Sequence, residues 1–360
     1  MRTFLAAIFA MAIVACDDEV SSSGPAPLPL GADPSPDLSA HLRAVSACKT
    51  NDKGELDMSC PAAKAFNDWS GQNVAWIDDS PEAVIAAAAP FRQDASSAVR
   101  SVLVRLYGRF VKSKNALAKK ELIELFARER DAGVARQIVL AVTQDSRDPE
   151  LRALLVGALA SEAELVRRAA ATGLANKLEL PTGKEREAVL KALKSDPAIP
   201  VREALCLALG VGEDEEMLAA YDAILDDPAT PPELYDTCLQ GLTLAWSLTA
   251  LKSRSKGAYE RSMRRLETGP RDDRHPMGSA IGDVAFAKPE TVPFFERPRA
   301  IAALRALLAD KAAAEDTRGA AASALMMMTP EAHGELGVPL DEARALLEKR
   351  TKRLEAAPKK

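Results

Sequence analysis

Aromatic residues are scarce, with Phe, Trp and Tyr making up 4% of the 360 residues, and the three histidines, His41, His275 and His333, sit in unrelated segments. Strands favour aromatic and β-branched side chains, so this shortage argues against a β-sandwich or barrel. The N-terminal apolar run at residues 4–15 holds twelve residues, too few to span ~30 Å of hydrocarbon. No G-x-S-x-G, H-E-x-x-H, P-loop or Rossmann fingerprint occurs, so no catalytic role and no cofactor are expected. A net charge of -5 gives no global attraction to nucleic acid or an acidic membrane. What is abundant is Ala, Leu, Glu, Lys and Arg, and the 23 prolines fall mostly between periodic apolar runs. That combination predicts an all-α protein of many short helices.

Arg2, the run FLAAIFAMAIVA and the small residue before Cys16 together form a secretory-signal pattern. Ile13-Val14-Ala15-Cys16 resembles the lipobox of bacterial lipoproteins. The resemblance implies removal of residues 1–15, acylation of Cys16 and firm anchoring without a spanning helix, because two or more acyl chains hold where one does not. Residues 16–38 then read as the lipid anchor and a Ser/Gly/Pro/Asp-rich tether, reaching about 25 Å from the bilayer as a random coil. The expected location is a bacterial envelope, periplasm-facing or outer membrane, with the leaflet open.

An exported chain meets oxidising conditions. Cys48 and Cys60 flank a turn around Asn51-Asp52-Lys53-Gly54, and helical patterns lie on both sides. A disulfide stapling a helical cap over residues 39–80 is the reading adopted. A zinc site from His41, Cys48 and Cys60 lacks a fourth ligand nearby, and TNDKGELD lacks the ligand alternation of a calcium loop.

Over residues 81–248 a helix start recurs: SAVRSVLVRLYGRFV from Ser97, AGVARQIVLAVTQ from Ala132, ELVRRAAATGLANKL from Glu164 and IPVREALCLALG from Ile199. Its aliphatic markers Val99, Val134, Val166, Val201 and Leu234 lie 35, 32, 35 and 33 residues apart. Partner helices fall between them, and a single pair cannot bury its apolar faces alone, so stacking is required. The pattern resembles the HEAT repeats of α-solenoids, which carry an Asp in the turn and a Val-Arg early in the second helix. Asp94 with Arg100 and Asp196 with Arg202 keep the six-residue spacing, and Glu162 with Arg168 keeps it with a conservative change. The resemblance implies an α-solenoid of about five to six antiparallel helix pairs, and an Asp that accepts turn N–H bonds while pairing with an Arg of the same or next repeat would make these charges a structural ladder along the stack. Cys206 and Cys238 occupy equivalent places on adjacent second helices. Packed helices lie ~8–10 Å apart and disulfide Cα atoms within ~7 Å, so two buried thiols are favoured over a bridge.

Residues 249–298 exceed the period. They begin as a basic helix and continue as a segment with five prolines, and long structureless insertions tend to be functional or disordered. Ten acidic residues and no Lys or Arg lie between Glu203 and Leu251, followed by eight basic residues up to His275. The two stretches either pair with each other or leave Arg261, Arg264 and Arg265 as a site for an anionic partner. Asp272-Asp273-Arg274-His275 reads as a solvated turn, Trp69, Trp76 and Trp246 as packing residues, and Met326-Met327-Met328 as core filler in part. Phe294-Phe295 is either an exposed anchor or folds back on the stack. Residues 299–330 form the last repeat, and 331–360 a capping helix with Leu340, Ala343, Leu347 and Leu354 on one face, then a tail.

The expectation is a non-catalytic protein-binding or scaffolding module, anchored through Cys16, whose partner is another envelope protein. The alternatives are a carrier or sensor of anionic lipid or cell-wall polymer, and an enzyme subunit with a site under the 249–298 insertion. Neither nucleic acid nor a small-molecule cofactor is expected.

Overall fold

The computed structural model describes residues 35–145, 147–175, 182–207, 214–247, 254–269, 281–282, 292–328 and 338–356. The protein is all-α, with seventeen α-helices and no strand among the described residues. The chain divides into two compact units, Met1–Ala141 and Val142–Lys360.

The first unit contains α1 (Ser35–Val45), α2 (Pro61–Gln72), α3 (Val74–Asp79), α4 (Pro81–Ala88), α5 (Ser97–Lys112) and α6 (Ala116–Arg128), with α7 (Ala132–Val142) reaching its end. Proline opens α2 and α4, where its missing N–H costs nothing. The Asn115 side chain caps α6 by accepting from the N–H groups of Leu117 and Ala118. Helix α1 packs on α2, α4 and α5, and α5 pairs with α6. The core comes from apolar residues at helical spacing, such as Val99, Val102, Leu103, Leu106 and Phe110 on α5.

Cys48 and Cys60 form a disulfide with Cα atoms 5.8 Å apart. The loop between them folds as a tight turn with an isolated antiparallel bridge from Thr50 to Leu56. Gly54, at φ +74°, lies at its tip, where an added Cβ would stand 2.2 Å from the Gly133 carbonyl. Only glycine fits both the left-handed backbone and the close approach.

The second unit runs through α8 (Pro149–Ala158), α9 (Glu164–Ala175), α10 (Gly183–Ser195), α11 (Ile199–Cys206), α12 (Glu215–Asp226), α13 (Pro232–Ser247), α14 (Lys256–Thr268), α15 (Arg297–Ala309), α16 (Glu315–Met328) and α17 (Leu340–Ala356). Helices α8 with α9, α10 with α11 and α12 with α13 pair antiparallel-fashion as neighbours in sequence, while α9, α11 and α13 stack in one row and α8, α10, α12 and α14 in another. This two-row packing is compatible with a solenoid. The markers Val99, Val134, Val166, Val201 and Leu234 are all fully or almost fully buried, as is Thr317 at the equivalent place in α16. Helix α17 seals α16 through Ala343 and Leu346; Leu340 and Leu347, expected on that face, are half-buried.

Cys206 and Cys238 are bridged, not free, with Cα atoms 4.7 Å apart. The expectation of two thiols assumed ordinary helix separation. Gly241, one turn beyond Cys238, removes the side chain that would hold α13 away: a Cβ there would stand 1.8 Å from the Cys206 carbonyl oxygen. Helix α11 also ends at Cys206, and Tyr221 Oη donates to that same carbonyl at 2.6 Å.

Candidate functional site

The charges of the repeat motif are taken up in the frame, in two arrangements. Arg100 donates to the backbone carbonyls of Asp94 (2.8 Å) and Ala95 (3.0 Å), and grips both Glu129 oxygens at 2.8 and 2.9 Å. Arg167 repeats this geometry two periods later, on the carbonyls of Ser161 and Glu162 and on both oxygens of Asp196, at 2.7 and 3.1 Å. In both cases the carboxylate lies 29 residues beyond the arginine. Such two-pronged pairs fix orientation as well as charge. The expected pairings are therefore corrected. The acting arginine of the third repeat is Arg167, not Arg168. Asp196 serves Arg167 rather than Arg202, because its Oδ1 caps the turn at Ala198 N (2.9 Å) and the carboxylate faces α9. Asp94 caps its own turn by accepting from Ser96 N at 2.8 Å, and Arg100 takes its carbonyl rather than its carboxylate. Arg202 and Arg318 use a second arrangement. Each donates through Nε to a carbonyl near the end of the preceding helix, Leu193 at 3.0 Å and Leu308 at 2.8 Å, as expected for cations at helix C-termini.

Arg261, Arg264 and Arg265 all point at carboxylates of α12. Arg261 Nε donates to Asp222 at 2.8 Å and its Nη2 pairs with Glu215; Arg264 reaches Asp222 at 3.1 Å; Arg265 reaches Asp222 and Asp226, each at 3.0 Å. Burial alone would raise the Asp222 pKa, yet hydrogen bonds from Arg261 and Arg265 bring it below the usual carboxylate range. These three arginines of the basic stretch thus pair with Glu215, Asp222 and Asp226 of the acidic one. Arg299 continues the network to Glu267 (2.7 and 3.0 Å) and Glu260 (2.8 Å).

Phe294 and Phe295 fold back. Phe295 stacks on Trp246, with centroids 5.9 Å apart, and Phe294 lies 5.5 Å from Tyr259. In the first unit His41 packs against Trp69 at 5.3 Å rather than joining cysteines at a metal, and no cluster of three or more His, Cys, Asp or Glu able to hold a metal occurs among the described residues. Met328 is buried, with Met326 and Met327 half-buried. Cys16, Asp272–His275 and His333 lie outside the described residues.

The concave feature the motifs did not announce is an open groove of about 680 Å³ in the first unit, lined by Ser46, Cys48, Lys49, Thr50, Asp94, Ala95, Ser96, Ser97 and Asp131. The starts of α5 and α7 both border it. Asp131 caps α7 through Val134 N at 2.9 Å, and Thr50 Oγ1 lies 3.0 Å from Ser97 Oγ. With the helix-start N–H groups of Ser96 and Val134 taken by the protein's own carboxylates, the groove offers hydroxyls, two part-exposed carboxylates and Lys49. That inventory suits hydrogen bonding to a polar chain.

No protein-family model matches the chain, and neither does any curated protein sequence. The resemblance to HEAT repeats therefore rests on the sequence spacing of the markers.

Proposed function

We propose that the mature chain is an exported, lipid-anchored module of a bacterial envelope that works by holding another protein rather than by catalysis. Export is supported by the two disulfides, since such bonds persist in oxidising compartments and are rare in reducing ones. It agrees with the signal-like residues 1–15 and the lipobox ending at Cys16. Anchoring is through Cys16, facing the periplasm or in the outer membrane. The observation that carries the binding role is the groove: the repeat charges are bound into the frame, while the groove turns the exposed Lys49 and the part-exposed Asp94 and Asp131 to solvent. Stacked helical pairs bury a core and leave extended surface for a partner. The carrier of anionic ligands is the weaker reading, because Arg261, Arg264 and Arg265 already have carboxylate partners.

The test is photocrosslinking in cells from a reactive residue at the exposed Ala95 in the groove, with a control at the exposed Asp68 on α2. The proposal expects a stoichiometric protein adduct from position 95 alone. Equal adducts from both positions, or none from position 95, contradict it.

A further inference from the structure

The two disulfides differ in accessibility. Cys206 and Cys238 are each 0% exposed, held between α11 and α13. Cys60 is half-buried and follows the exposed Asp57, Met58 and Ser59, while Cys48, 8% exposed, lies in the wall of the open groove, so the approach to this bridge is at Cys60. Exchange requires a thiolate to reach a bridge sulfur in line with the bond, so access decides which bridge reacts.

Besides its bridge, the 48–60 loop is held by the Thr50–Ser97 hydroxyl pair at 3.0 Å, by the close approach of Gly54 to Gly133, and by hydrogen bonds to its backbone. Lys53 O accepts from Gln137 Nε2 (2.9 Å) and Arg136 Nη1 (3.2 Å), and Gly54 O accepts from the buried Ser101 hydroxyl at 2.7 Å. Leu56 is its one buried large apolar side chain, and Met58 is left exposed. Inside the loop, Asn51 Oδ1 accepts from the N–H groups of Lys53 and Glu55. These are local bonds, and the covalent bridge is what ties the two ends of the loop to each other.

We infer that Cys48–Cys60 is a site of thiol–disulfide exchange with dithiol reductants, and that its opening releases the 48–60 loop from α5 and α7 while Cys206–Cys238 stays closed. A reductant thiolate attacks Cys60 Sγ, the bond to Cys48 breaks, and Cys48 leaves as a thiolate that takes up a proton. The second reductant thiol displaces Cys60 from the mixed disulfide. The reductant departs oxidised to its disulfide, and two electrons and two protons have passed to the protein. Residues 46–50 form one wall of the groove, so opening the bridge also reshapes the surface assigned above to the partner. The chemistry of the bridge stands whether or not a partner docks there.

The experiment uses the folded, oxidised full chain titrated with dithiothreitol, quenched with N-ethylmaleimide and mapped by peptide mass spectrometry. Amide hydrogen exchange is measured on the same samples. The expected result is labelling of Cys48 and Cys60 at reductant levels that leave Cys206 and Cys238 unlabelled, with at least tenfold faster exchange confined to residues 50–56 and the amides facing them. A Cys48→Ser/Cys60→Ser variant should show the same faster exchange without reductant. Labelling of Cys206 and Cys238 at equal or lower reductant overturns the inference. So does resistance of both bridges until the protein unfolds, unchanged exchange in the loop after reduction, or global unfolding on opening Cys48–Cys60.

Discussion

Replacing Asp196 by alanine removes both carboxylate oxygens from Arg167 and the cap from Ala198. The pair is largely enclosed, with side-chain exposure of 12% for Arg167 and 4% for Asp196. Breaking a buried pair by deleting one partner costs about 3–5 kcal/mol, because the remaining charge is left uncompensated. Arg167 keeps two carbonyl acceptors, at Ser161 and Glu162, which places the loss at the low end of that range. The lost turn cap adds about 1 kcal/mol. The expected destabilisation is therefore about 3–4 kcal/mol. Urea unfolding followed by Trp246 fluorescence measures it, in a Trp69→Phe/Trp76→Phe background so that the signal reports the second unit. Replacing both partners by apolar residues, Arg167→Met with Asp196→Leu, should cost less than Asp196→Ala alone, since no orphaned charge remains. A loss below about 1 kcal/mol for Asp196→Ala would refute the view that these motif charges form the frame.

Three further outcomes follow from the same geometry. Gly241→Ala forces a Cβ against the Cys206 carbonyl, 1.8 Å away unless α13 shifts; it should cost at least about 1–3 kcal/mol and slow closure of Cys206–Cys238, read by denaturation and thiol titration. Arg264→Gln removes a pair whose arginine is 58% exposed, so stability should change by no more than about 0.5 kcal/mol and binding to anionic vesicles should not change. Hydrogen bonds from Arg186 hold Asp214 below its ordinary pKa, those from Arg299 do the same for Glu267, and Asp222 is lowered despite its burial. Groups depressed in the folded state contribute fully above the unfolded carboxylate values, roughly pH 4, and their contribution is lost as pH falls through the lower folded values. The urea midpoint of the second unit should therefore fall on acidification below about pH 4 and stay nearly flat from pH 5 to 7, whereas a midpoint that rises below pH 4 would refute this assignment.

The helical period was legible because burial obeys it: the five aliphatic markers, chosen from spacing alone, all lie in the core. Arg100 was legible as a structural charge, but its carboxylate was not. Glu129 lies 29 residues downstream, and a motif read inside one turn looks only a few residues away. The expected ladder places the partner of Asp196 in its own repeat or the next, whereas Arg167 stands in the preceding one. The Cys206–Cys238 bridge was hidden for a different reason. Helix separation is set by the smallest side chain at the crossing, and Gly241 carried no signal until α11 and α13 were seen together. The acidic stretch and the basic helix left pairing and partner binding both open, because sequence order does not say which helices stack. The packing of α12 on α14 brings Asp222 to three arginines at once. The groove had no sequence signature, since its lining comes from three separate turns of ordinary polar residues.

The central claim, an exported module held at a membrane by its N-terminus, is tested most directly by mass spectrometry of the N-terminal peptide of the protein purified from cell membranes. The account predicts a chain that begins at Cys16, carries diacylglycerol on its sulfur and has both disulfides formed. A chain that retains residues 1–15, or an unmodified Cys16 on a soluble protein with free thiols at Cys206 and Cys238, would contradict it.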